Sequence, residues 1–142
     1  MRRIFVYGSL RYGMYNYQKY LAGHCKVIQR AYIKGTLYSL LRVEYPALVD
    51  EGDKMVLGEI LELDETVDMK LLDVLERYYE EGNINNEYDR LIMPIYDIDQ
   101  KTIIEHLPVY IYNLKKPEQR ERLDKEIEDG DYVRYRESTY KW

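Results

Sequence analysis

Apolar positions in this chain fall in short blocks separated by polar turns, and few of them sustain a helical stripe. The first block, Ile4-Phe5-Val6-Tyr7, is continuous, aromatic and β-branched, and predicts a buried strand. It stops at Gly8-Ser9, where a turn is expected. Residues 14–24 predict a short helix with Tyr17, Tyr20 and Leu21 on one face and Gly23 as its stop. Residues 26–41 predict two strands, or one long bent one, with Gly35 at the bend. Tyr45-Pro46-Ala47-Leu48-Val49 reads as a turn into a short strand, and residues 50–53 as a plain turn. Residues 54–63 predict a strand with Gly58 as a bulge or kink.

Asp64 is a suitable N-cap for a helix over 65–79, whose Val67, Leu71, Leu72, Val74, Leu75 and Tyr78 form a broad apolar stripe. A polar loop covers 81–86. Strands are expected over 87–97 and 102–113, paired across the Asp97–Lys101 turn. Residues 117–129 predict a charged surface helix, with Pro117 near its start, Gly130 past its end, and Leu123 and Ile127 as its apolar positions. Strands dominate, so the class is α+β around a mixed or barrel-like sheet.

The 142 residues suit a single domain, 1–142, with a sizeable core, and the 46% hydrophobic content excludes a disordered chain. No apolar run reaches the roughly 18 residues of a membrane span. Met1-Arg2-Arg3 leads straight into a strand-like run and not into a signal peptide, so a cytoplasmic protein with no membrane partner is expected. Cys25 is the single cysteine, which excludes an intramolecular disulfide and fits a small apolar packing residue. The net charge of −5 argues against a nucleic-acid partner. Seventeen tyrosines against one phenylalanine and one tryptophan read as packing rings with a polar edge, since a stacking platform for nucleic acid would bring a basic groove.

Two places carry candidate chemistry. At Gly8-Ser9 a missing Cβ lets backbone or ligand approach, and successive N–H groups of such a turn can hold an anion. The competing reading is a strand followed by a plain turn. Glu76, at 100° per residue, lies roughly 40° from Leu72 and 60° from Tyr79, at the margin of the apolar stripe. A carboxyl there loses hydration and its pKa rises toward the range useful for proton transfer. The alternative is a boundary glutamate whose stem packs while its head reaches water. His24 and His106 belong to no cluster with metal-ligand spacing, so no metal is expected. Ser9 sits in no G-x-S-x-G elbow that would make it a nucleophile.

Several separated segments together resemble the gamma-glutamylcyclotransferase-like superfamily, and within it the AIG2-like branch that includes gamma-glutamylamine cyclotransferases. Phe5-Val6-Tyr7-Gly8-Ser9-Leu10 with Gly13 matches the opening motif, and Tyr45-Pro46-Ala47 a short Tyr-Pro segment. Gly58-Glu59-Ile60-Leu61-Glu62-Leu63-Asp64 matches a Gly-Glu strand. Leu72-Asp73-Val74-Leu75-Glu76, Tyr78, Tyr88 and Arg90 match a helix and the strand after it. Val109-Tyr110-Ile111-Tyr112 and Gly130-Asp131-Tyr132 complete the ordered set.

The resemblance implies a small mixed β-barrel with a few peripheral helices. It implies that Glu76 is the catalytic acid/base and that Tyr7, Gly8, Ser9 and Leu10 cradle the glutamyl part of a substrate, with Tyr88 and Tyr112 completing the pocket. The implied reaction turns a γ-glutamyl amine or peptide into 5-oxoproline and a free amine, with no cofactor. The competing class is a protein that binds an amino-acid-like ligand without turnover, or a related γ-glutamyl acyl-transfer enzyme. Two departures stand out. Arg77 occupies the position of the family's usual glycine after the glutamate, and the loop at 80–87 is long for the branch. The oligomeric state and the leaving amine are not legible in the sequence.

Overall fold

The structure, a computed structural model, describes residues 2–139. A five-stranded sheet runs in the order β1 (Arg2–Val6), β5 (Met55–Leu63), β2 (Cys25–Lys34), β6 (Tyr88–Tyr96) and β7 (Ile103–Tyr112). A three-stranded sheet runs in the order β4 (Pro46–Val49), β3 (Thr36–Leu40) and β8 (Leu123–Glu126). All pairings are antiparallel. The fold is a strand-rich α+β structure, as expected.

The expected barrel is not closed. The edge strands β1 and β7 approach one another without sharing a ladder. A phenol spans the gap instead, Tyr7 donating its hydroxyl to the Tyr110 carbonyl at 2.5 Å. Between β2 and β6 the pairing shrinks to Tyr32 with Tyr96. Gly35, at φ +155°, turns β3 out of the first sheet. A Cβ there would lie 2.8 Å from the Val49 carbonyl oxygen, so the bend needs glycine.

Strands β1, β4, β5 and the second half of β7 carry continuous apolar runs because both of their faces are buried there. Along β1, Ile4 and Val6 enter one core cluster and Phe5 the other. The same alternation splits Leu61 and Leu63 from Ile60 on β5, and Tyr110 and Tyr112 from Val109 and Ile111 on β7. Gly58 makes no bulge. The register shift lies on its partner strand, between Val27 and Gln29. Glycine is required at 58 because a Cβ would fall 2.2 Å from the Val6 carbonyl oxygen, against the Phe5 ring.

The helices depart most from expectation. The short helix expected over 14–24 is present as a helical segment over residues 15–21, but its body is the π-helical turn Tyr17–Leu21 and not an α-helix, with Tyr17 and Leu21 buried and Gly23 past its end at φ +83°. The helix expected over 65–79 is α1 (Met69–Leu75), shorter at both ends. Its N-cap is Asp68, which accepts from the Lys70 amide at 2.9 Å, while Asp64 closes a turn by accepting from the Thr66 amide. Leu72 is fully buried, but Leu71 and Val74 face solvent, so the apolar stripe is narrower than the sequence suggests.

The charged helix expected over 117–129 is also corrected. It is one short helix, α2 (Pro117–Glu121), followed by strand β8 against β3. The spacing of Leu123 and Ile127 fits either structure. The strand wins because its backbone completes β3, and the Ile127 amide extends this by donating to the Leu37 carbonyl at 2.8 Å. A third helix, α3 (Tyr132–Thr139), was not anticipated. No helix among the described residues is long and apolar enough to cross a membrane.

Candidate active site

A cavity of about 270 Å³ opens where the end of β1, the loop after it, the π-helical turn, the start of β4 and the C-terminus of α1 meet. Its walls include Tyr7, Gly8, Ser9, Leu10, Pro46, Glu76, Tyr88 and Tyr110. The volume suits a small metabolite of amino-acid size. Among the described residues, no cluster of His, Cys, Asp and Glu could hold a metal ion.

The loop after β1 is held from behind. Arg11, 3% exposed, donates through Nε to Glu59 at 2.9 Å and through Nη1 to Asp131 at 2.8 Å. The other Glu59 oxygen accepts from the Tyr12 amide at 2.8 Å. One buried network therefore ties the loop to β5 and to the residue preceding α3. On its cavity side, Asn16 donates to the Ser9 hydroxyl at 2.8 Å, and the Ser9 carbonyl accepts from the Tyr17 amide. The Ser9 and Leu10 amides have no protein acceptor among the described residues. Gly8 is a close-approach glycine for a reason internal to the protein. A Cβ there would lie 2.7 Å from the Pro46 ring.

Glu76 caps the C-terminus of α1, its amide donating to the Leu72 carbonyl at 3.0 Å. The helix is anchored by Asp73, which accepts from Arg90 and from the Tyr110 hydroxyl, each at 2.7 Å. Glu76 keeps part of its surface open to the cavity, while protein atoms crowd its other sides. Burial pushes its carboxyl up to about 8, and the charge of Glu87 adds to the rise. Glu87 is itself buried and accepts from Arg122 at 2.8 Å and from the Tyr45 hydroxyl at 2.9 Å. Burial, with the Glu76 charge as a further cause, holds the Tyr7, Tyr88 and Tyr110 phenols well above their usual range. They are hydrogen-bond donors at any working pH, not bases.

The chain leaves α1 through Arg77 at φ +51°, the left-handed region that favours glycine. This explains geometrically why glycine suits the position. The Arg77 side chain is exposed and reaches Glu87 only at 3.9 Å. Arg77→Gly is expected to stabilise the protein by about 0.5–1 kcal/mol, since strain relief exceeds a weak surface ion pair. A thermal melt checks this through a Tm rise of about 1–4 °C.

The structure brings Tyr7, Gly8, Ser9, Leu10, Glu76 and Tyr88 to one cavity. Tyr112 does not line it. Its ring packs edge-on to Tyr88 at 5.4 Å, and its hydroxyl donates to the Gln119 carbonyl. Tyr110, two residues earlier on the same face of β7, lines the cavity in its place. Sequence reasoning did not assign roles to Arg11, Glu59, Asp73, Asp131 or Tyr110, although all but Arg11 lie in the matched segments. An arginine directly after a buried strand and turn, with acids inside apolar strands, was the available signal.

Residues 4–134 match the family described as gamma-glutamyl cyclotransferase, AIG2-like. A curated relative, the gamma-L-glutamyl-butirosin B gamma-glutamyl cyclotransferase of Niallia circulans, is 36% identical over 91 residues. That match spans 64% of this chain and 56% of the relative. An uncharacterized protein of Pyrococcus horikoshii has the same fold, with a TM-score of 0.67 at 23% identity over 97% of this chain and 95% of that one. An AIG2-like protein from Mus musculus also gives 0.67, at 24% identity over 93% and 88% of the two chains. With a family match running from β1 into α3 and a shared fold, this chain is a member of the AIG2-like gamma-glutamyl cyclotransferase family.

Proposed function

We propose that the chain is an intramolecular cyclotransferase converting a γ-glutamyl amine or peptide to 5-oxoproline and the free amine, with Glu76 as acid/base. The observation that carries this reading is one cavity of amino-acid size. It joins a carboxyl held near pKa 8 to a turn with unengaged backbone amides. Family membership and the name of the curated relative support the same reading.

The substrate's α-amine titrates near about 8, so it matches Glu76 and proton transfer between them is close to balanced. The Glu76 carboxylate takes the ammonium proton. The amine nitrogen attacks the γ-carbonyl carbon, the N–C bond of the five-membered ring forms, and the carbonyl electron pair moves onto oxygen. The Ser9 and Leu10 amides, which have no protein acceptor among the described residues, would stabilise that oxyanion or hold the α-carboxylate. As the oxyanion collapses, the bond to the leaving nitrogen breaks and Glu76 returns its proton to that nitrogen. Folding the substrate so that its own amine meets its own carbonyl supplies the proximity gain.

Productive encounter requires carboxylate on the enzyme and ammonium on the substrate. The pH profile of kcat/KM is therefore expected to be bell-shaped with its maximum near about pH 8. Neutralising Glu87 removes a charge that raises the Glu76 pKa. Glu87→Gln is thus expected to move the acid limb to lower pH, and an unmoved limb would uncouple the two. The reading itself is tested by soaking 5-oxoproline into crystals of the protein. The lactam is expected within hydrogen-bond reach of both the Glu76 carboxyl and the amides of residues 8–10, and binding elsewhere would overturn it.

A further inference from the structure

We propose that Lys19 makes this site prefer γ-glutamyl substrates whose leaving amine carries an anionic group such as a carboxylate. The inference rests on the cyclotransferase reading and specifies its substrate class.

Among the described residues, Lys19 and Glu76 are the two charged ones in the cavity lining. They differ in depth. Glu76 is half-buried among the Tyr7, Tyr88 and Tyr110 phenols, whereas Lys19 is exposed. Its backbone is fixed, because it sits within the π-helical turn between buried Tyr17 and Leu21. Its ammonium lies 5.3 Å from the centre of the Tyr20 ring, and no carboxylate comes within 4.0 Å of it among the described residues. Arg11, by contrast, is consumed by Glu59 and Asp131 behind the loop.

The substrate's chemistry divides along the same depth. Its α-amine must reach Glu76, and its α-carboxylate is on the same carbon, so both lie deep. The leaving amine departs toward solvent, and the rim it passes carries one unpaired cation. An anion on that half of the substrate meets an ammonium steadied by an aromatic face. A cationic leaving group meets repulsion at the same point. The chain's net charge of −5 gives anions no general attraction, so any preference for them must be local.

The test compares γ-glutamylglycine with γ-glutamylglycinamide, which differ in the charge of the leaving half, by following 5-oxoproline release. Wild-type protein is expected to favour γ-glutamylglycine by about 5- to 20-fold in kcat/KM, with the difference in KM. Lys19→Gln is expected to bring the ratio near one, and Lys19→Arg to keep most of it. A wild-type ratio near one, or a ratio that survives in Lys19→Gln, overturns the inference. So does an equal rise in KM for both substrates, which would put Lys19 on the glutamyl half. Failure of the wild-type protein to release 5-oxoproline from either compound overturns the inference, and the cyclotransferase reading falls with it only where a wider panel of γ-glutamyl amines gives no 5-oxoproline either. In the other failures turnover persists, so the two are distinguishable.

Discussion

Glu76→Gln is expected to lower turnover of a γ-glutamyl substrate by about 10²–10⁴-fold and to leave the fold intact. The amide matches the carboxyl in shape but cannot move a proton between the attacking and leaving nitrogens. The same substitution is expected to raise stability in alkaline solution. In the folded protein Glu76 keeps its proton up to about pH 8, whereas its ordinary value is 4.5. Between those values the folded state binds more protons than the unfolded state, so this residue costs the wild type stability as pH rises through the window. Glutamine has no proton to lose. The variant should therefore melt above the wild type by a margin that is small at pH 5 and reaches about 1–3 kcal/mol at pH 8.5. Activity within twofold of wild type, or a melting difference that shrinks with pH, would contradict the assignment.

Arg11→Met carries the largest expected loss of stability. Arg11 and Glu59 are 3% and 6% exposed, and the substitution leaves the Glu59 carboxylate buried beside the Tyr12 amide without its cation. Breaking a buried pair in this way costs about 3–5 kcal/mol, roughly a 6–20 °C fall in Tm for a chain of this size. Removing both charges, as in Arg11→Met with Glu59→Leu, should recover part of the loss, because the desolvation penalty of the orphaned carboxylate disappears. Denaturant melts of the two variants measure this. A loss below about 1 kcal/mol for Arg11→Met would mean that the loop is held by something other than this network.

The strands buried on both faces were the most legible, because such segments announce themselves as β-branched and aromatic runs between glycine and polar turns. Ile4 to Tyr7, Lys54 to Leu63 and Val109 to Tyr112 are of this kind. Glu76 was legible because its angle from Leu72 is a property of one short helix. The supporting network was not, because Arg11 meets partners 48 and 120 positions away, and no local pattern encodes such a meeting. Residues 117–129 misled because their charge and the Leu123–Ile127 spacing fit a helix, while backbone pairing with β3 decides the outcome. Barrel closure depends on whether two distant edges pair, which local sequence does not specify. Gly8 was legible as a close-approach position, but the close neighbour is Pro46.

Product identity separates a cavity that closes a γ-glutamyl group on itself from one that admits water or only binds the ligand. Purified protein incubated with a panel of γ-glutamyl amines and peptides is expected to release 5-oxoproline and the free amine in equal amounts from at least one member, with no glutamate. Release of glutamate, the product of attack by water, would contradict intramolecular attack. Tight binding of 5-oxoproline with no turnover of any member would contradict catalysis and leave a binding protein.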